Sequence, residues 1–190
     1  MEDKNTRDII LQESLQLFAQ KGYAAVSMRD IAASVGIKAS SIYYYFKGKQ
    51  ELFDALIQQA NEIKDMMRMN FMKALGNVGS VAEEPFVQAG VFFLTGYFQN
   101  PQISLLLRVL ECERLHNEEA DKAWKSLVIH APLEHQLEVF RILESRNELS
   151  DTNLEALAAE YQSIGLLAYF TGDIEQMKEL LHRFYQRTFQ

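Results

Sequence analysis

Apolar residues recur every three or four positions along nearly all of this 190-residue chain, and only 9 glycines and 3 prolines are present to interrupt them. That spacing marks one face of a helix, and no segment shows the strict alternation of a half-buried strand. Leu11, Leu15 and Phe18 follow it, Ile10 and Ala19 widen the stripe, and Gly22 stands where a helix C-terminus favours a left-handed residue. From Gln50 to Gly76 a longer stripe runs through Phe53, Ile57, Ala60, Ile63, Met67, Phe71 and Ala74. Further helical segments are readable at Val81–Gln99, Pro101–His116, Glu118–Glu144, Asp151–Phe170 and Asp173–Arg187. The expected fold is all-α, with about nine helices.

With 48% apolar and 24% charged residues the chain is suited to a globular core, which excludes disordered and collagen-like classes. Its single cysteine, Cys112, forms no internal disulfide and reads as a small core residue in a reducing, cytoplasmic compartment. No apolar N-terminal run resembles a secretory signal. The charge-free stretch from Pro85 to Leu107 is divided by Asn100-Pro101 into pieces too short to span a bilayer, so no membrane partner is expected. Pro132 is expected to kink or split its helix near His130.

The net charge of −7 hides an asymmetry. Residues 1–50 carry seven Lys or Arg against five acids, a balance of +2, and the rest of the chain stands at −9. An acidic protein binds a polyanion only if its positive charge is gathered on one module, and the first fifty residues are that module.

Its local signals describe three short helices. Ser27-Met-Arg-Asp30 is a capping box ahead of Ile31, Ala32 and Val35. Gly36 permits a tight turn, Ile37 returns to the core, and a third helix is expected over about Ala39–Phe46. This is the pattern of a helix-turn-helix whose last helix enters the major groove. Lys38, Ser40, Ser41, Tyr43, Tyr44, Tyr45 and Lys49 crowd donors and aromatic faces near the start of that helix, and Arg29 adds a planar donor fork.

Gly22-Tyr23, Ser27-Met-Arg-Asp-Ile-Ala32, Val35-Gly-Ile37, Ile42-Tyr-Tyr-Tyr-Phe46 and Lys47-Gly-Lys-Gln-Glu-Leu-Phe53, in this order and spacing, resemble the DNA-binding signature of the TetR family of transcriptional regulators. The resemblance implies a DNA-binding domain over residues 1–49 and a helical effector-binding and dimerisation domain over 50–190. It implies that Ser27 caps its helix and touches phosphate, and that Arg29 contacts a base or the backbone. Lys38, Ala39, Ser40 and Ser41 would open the recognition helix onto base edges. Tyr43 would bond a phosphate, Tyr44 and Tyr45 would face the groove or flanking backbone, and Lys49 would clamp phosphate. The family often has His at the position of Tyr45 and Gly or Pro near Ser40, a departure that bears on the base contacts.

The implied protein is a homodimer on a palindromic double-stranded operator, released by a small, largely apolar effector, and it needs no cofactor. Leu154, Leu157, Ala158, Tyr161, Ile164, Met177, Leu181 and Phe184 form apolar faces on the last two helices that suit a dimer interface. Met67, Phe71, Phe93, Tyr97, Cys112, His116, Trp124, Phe140 and Tyr161 are candidates to line an effector pocket. His130, Glu134, His135 and Glu138 match no zinc-binding spacing, because Pro132 interrupts the helix between the histidines. No Gly-rich phosphate loop or nucleophile elbow suggests an enzyme. The alternative is a helical protein-interaction or lipid-binding module that does not bind DNA.

Overall fold

The computed structural model describes residues 2–150 and 153–189, with Asp151, the expected first residue of one helix, outside them. Ten α-helices follow one another: α1 (Glu2–Lys21), α2 (Met28–Val35), α3 (Ile42–Tyr45), α4 (Lys49–Gly76), α5 (Glu83–Phe98), α6 (Pro101–Glu113), α7 (Glu118–Lys125), α8 (Ala131–Ser145), α9 (Leu154–Thr171) and α10 (Ile174–Thr188). A π turn, Ser126–His130, joins α7 to α8 without a break in the helical run, so counted as one they bring the helices of the described residues to nine. No strand occurs among the described residues, which bear only an isolated antiparallel bridge between Leu149 and Phe189. The all-α expectation is met, and no helix among the described residues is long and apolar enough to cross a membrane.

The chain divides into two compact units, one comprising residues up to Ile63 with Pro101–Trp124, the other Lys64–Asn100 with residues from Lys125 onward. This division differs from a sequence boundary at residues 49 and 50, because α6 and α7 join the N-terminal helices in the first unit.

In the first unit, Ile10, Leu11, Phe18, Val26, Ile31, Ile42, Phe46, Leu52 and Phe53 are buried together. Tyr23 bridges them, its ring 5.1 Å from Phe18 and 4.9 Å from Phe53. In the second unit, α5, α8, α9 and α10 pack through Phe86, Val87, Phe140, Leu157, Leu181 and Phe184. The Phe184 ring stacks between Phe86 at 6.0 Å and Phe140 at 5.7 Å. Where α5 meets α9, Gly90 is required: a Cβ there would lie 2.6 Å from the Tyr161 hydroxyl and 2.9 Å from Leu181 Cδ1.

Pro132 marks the split expected near His130, where a π turn interrupts the α-helix. It sits in the first turn of α8, directly after the π turn, and it has no N–H for the carbonyls of Val128 and Leu127, four and five residues earlier. Side chains supply the missing donors: Gln162 Nε2 donates to the Val128 carbonyl at 3.1 Å, and the Tyr97 hydroxyl to that of Leu127 at 3.0 Å. The helix widens by one residue per hydrogen bond at this point and continues.

Candidate nucleic-acid interface and ligand cavities

The capping box forms as its sequence requires. Ser27 Oγ accepts from the Asp30 amide at 3.2 Å, while Asp30 Oδ2 accepts from the Ser27 amide at 2.8 Å. The hydrogen bonds from the Ser27 hydroxyl and backbone hold the Asp30 carboxyl below its ordinary range. After α2, Gly36 adopts φ +77°, a left-handed conformation disfavoured for residues with a side chain, and its amide and that of Ile37 close onto the end of the helix.

The third helix is shorter than the sequence suggests. Residues 39–41 form turns, with the Ser41 amide donating to the Lys38 carbonyl at 2.8 Å, and only Ile42–Tyr45 are helical. Four residues align few peptide dipoles, so any grip on phosphate rests on side-chain donors rather than on a helix terminus. Ile42 and Phe46 anchor this segment in the core, as do Ile31 and Ala32 for α2, whereas Val35 and Ile37 are only half-buried.

Anchoring on one face leaves the other free. Ser27, Arg29, Lys38, Ala39, Ser40 and Ser41 are exposed. Tyr43 and Tyr44 are 53% and 77% exposed, large values for aromatic rings. Tyr45 is half-buried, its ring edge-on to Tyr44 at 5.1 Å. Lys49 lies differently: its ammonium donates to the carbonyls of Tyr23 at 2.6 Å, Ala24 at 3.3 Å and Val26 at 2.9 Å. Those three bonds equal its donor capacity and tie the start of α4 to the loop between α1 and α2.

The second unit contains cavities. An inner one of about 160 Å³ is lined by Phe71, Leu75, Phe86, Val139, Leu143 and Tyr161, among others. An open groove of about 660 Å³ runs beside Met67, Phe71, Phe92 and Phe93. A polar cavity of about 170 Å³ is bordered by Arg68, Phe93, Tyr97, Glu134, His135 and Glu138. Of the expected pocket residues, Met67, Phe71, Phe93, Tyr97 and Tyr161 line these cavities. Phe140 is fully buried in the core. Cys112, His116 and Trp124 belong to the first unit and line none of the three. Cys112 and His116 are exposed, which corrects the reading of Cys112 as a core residue, whereas Trp124 is buried with the Arg114 guanidinium 3.8 Å from its ring centre.

The sequence overlooked His135 as a pocket residue. It is 5% exposed, and burial pushes its imidazole down to about 4 from an ordinary 6.5, with Glu138 opposing the shift and Arg68 adding to it. The residues expected at a dimer interface also need correction. Leu154, Leu157, Ala158, Ile164, Met177, Leu181 and Phe184 are buried within their own unit, and Tyr161 packs against Phe86, Phe140 and Phe184 there. The large apolar side chains of α9 that remain exposed are Leu167 and Phe170.

A capped α2, a left-handed glycine turn and a short α3 near the N-terminus make a helix-turn-helix, the class of module that docks on duplex DNA. Residues 10–56 match the model of "Bacterial regulatory proteins, tetR family". The match covers the N-terminal helix-turn-helix segment, about a quarter of the chain. It is 30% identical over 96 residues to the Probable HTH-type transcriptional regulator YttP of Bacillus subtilis, covering 50% of this chain and 45% of that one. It is 36% identical over 52 residues to the biofilm operon icaADBC HTH-type negative transcriptional regulator IcaR of Staphylococcus aureus, covering 27% and 28% respectively. The chain thus spans less than half the length of these curated relatives. A TetR-family structure from Mesorhizobium loti shares the fold, with a TM-score of 0.74 at 18% identity over 98% of this chain and 96% of the other.

Proposed function

We propose that this protein is a ligand-responsive transcriptional repressor that acts in the cytoplasm as a homodimer on a palindromic operator. The observation that carries this reading is the exposed row of Arg29, Lys38, Ser40, Ser41, Tyr43 and Tyr44 on a tetR-family helix-turn-helix. Arg29, Lys38 and Tyr43 are suited to phosphate and Ser40 and Tyr44 to base edges, while Ser27 divides its role between cap and backbone contact. Lys49 contributes by fixing the loop that precedes α2, so its effect on binding is indirect.

Repression is the reading that likeness to the negative regulator IcaR favours. Release by a small, largely apolar effector is supported by the cavities beside Phe71 and Phe93. One helix, α4, opens just after the recognition segment and supplies Phe71 to those cavities, so a ligand that shifts α4 changes DNA affinity without touching a DNA contact. Exposed Leu167 and Phe170 on α9 are the apolar surface best suited to a second copy.

Titration of duplex fragments carrying inverted repeats tests this reading. Binding that weakens steeply between low and physiological salt, with two chains per site, is the expected result. Indifference to duplex DNA at low salt would leave a helical interaction or lipid-binding module instead.

A further inference from the structure

The inner cavity, the groove and the polar cavity of the second unit have common walls. Phe71, Ala74 and Ala89 border both the inner cavity and the groove, and Phe93 borders both the groove and the polar cavity. His135 lines the polar cavity and packs on rings of the neighbouring ones, stacked on Phe93 at 5.0 Å and edge-on to Phe71 at 5.2 Å. Its Nδ1 is sealed from solvent and has no hydrogen-bond partner among the described residues. Buried polar atoms are almost always paired, so this orphan, on a ring that borders a cavity, is one that a turn of the imidazole would offer to an incoming group.

Charge narrows the chemistry of that group. Around the polar cavity Arg68 is paired with Glu138, and Lys64 with Asp65 at 3.5 Å. The carboxylate of Glu134 is exposed and screened by solvent. An anionic head would therefore have to break an existing ion pair and a cationic one would find only the solvent-screened carboxylate of Glu134, whereas a neutral head need only meet the imidazole. Size narrows the body: the inner cavity is close to the roughly 150 Å³ known to admit benzene, and the groove gives room for a chain beyond it.

We infer that these compartments form one site for an uncharged amphiphile, its apolar ring or chain held by Phe71, Phe86 and Val139 and its hydroxyl, or a comparable neutral hydrogen-bonding head, paired with His135. This inference rests on the effector-binding function proposed above and names the ligand class.

Calorimetric titration of the full chain, without DNA, with 1-octanol, octanoate and octylammonium at neutral pH tests it. Octanol should bind at least tenfold more tightly than either ion, and the 15N resonance of His135 Nδ1 should move on binding. His135→Phe keeps a ring in place and removes the polar atom, so it should weaken octanol about tenfold. Equal or tighter binding of an ion, or unchanged octanol affinity in His135→Phe, would overturn the inference. Should that variant not fold, the ranking of the three probes on the native chain decides alone. Octanol binding as expected in a chain that ignores DNA would preserve the site and remove the repressor reading. Release of bound DNA by a charged amphiphile alone would do the opposite.

Discussion

Lys49 and Tyr23 are joined twice: the Lys49 ammonium donates to the Tyr23 carbonyl at 2.6 Å and lies 4.4 Å from the centre of its ring. The same ammonium serves the carbonyls of Ala24 and Val26, so it holds a loop that has no helical hydrogen bonds of its own. Lys49→Met strands three carbonyls and should destabilise the chain by about 1–3 kcal/mol in urea unfolding. Its DNA affinity should fall while the salt dependence of binding stays that of the wild type. A slope reduced by about one unit would instead assign Lys49 to a phosphate.

The exposed residues of the module should behave otherwise. Lys38→Ala and Tyr43→Phe should weaken binding to every operator variant alike, and loss of the Lys38 charge should reduce the salt slope by about one. Ser40→Ala and Tyr44→Phe should change which bases are preferred. A reversal of these patterns in binding-site selection would exchange the assigned roles of the two groups.

The capping box, the left-handed glycine after α2 and the apolar anchors of the module were legible because each depends on residues a few positions apart. Lys49 was not, since its carbonyl partners lie 23 to 26 residues away in the chain and have no side-chain signature. Periodicity showed that Leu157, Ile164 and Leu181 must be covered, but it carries no information about whether the cover is the same chain or a copy. His135 was passed over because Pro132 spoils a metal-binding spacing. The structure turns that proline into a π turn, with Tyr97 and Gln162 satisfying the carbonyls it leaves, and no local pattern encodes donors 30 and 34 residues away.

Acid stability follows from His135. Burial holds its folded value near 4, against 6.5 in an unfolded chain, so below pH 6.5 the unfolded state takes up a proton that the folded state refuses. Stability from this group is complete above pH 6.5 and declines as pH falls toward 4, by a total of ~3 kcal/mol. Urea unfolding of wild type and His135→Phe at pH 7 and pH 4 isolates the effect. The wild type should lose more stability than the variant over that interval, and parallel losses would mean that the imidazole is already hydrated or paired in the native state.

Gly90 and Tyr161 set how closely α5 approaches α9. The atom a Cβ at Gly90 would strike first, at 2.6 Å, is the hydroxyl at the end of a ring packed against Phe86, Phe140 and Phe184, so the ring has little freedom to withdraw. Gly90→Ala should cost about 1–3 kcal/mol through overpacking, despite the higher helix propensity of alanine. Tyr161→Phe removes the obstructing oxygen and leaves only Leu181 Cδ1, a terminal methyl group at 2.9 Å that can rotate. The alanine substitution should therefore cost at least about 1 kcal/mol less in the Tyr161→Phe background, a coupling measurable in a double-mutant cycle. Strict additivity would show that α5 and α9 separate to relieve the clash, and because Tyr161 also lines the inner cavity, that separation should appear as altered affinity for apolar ligands.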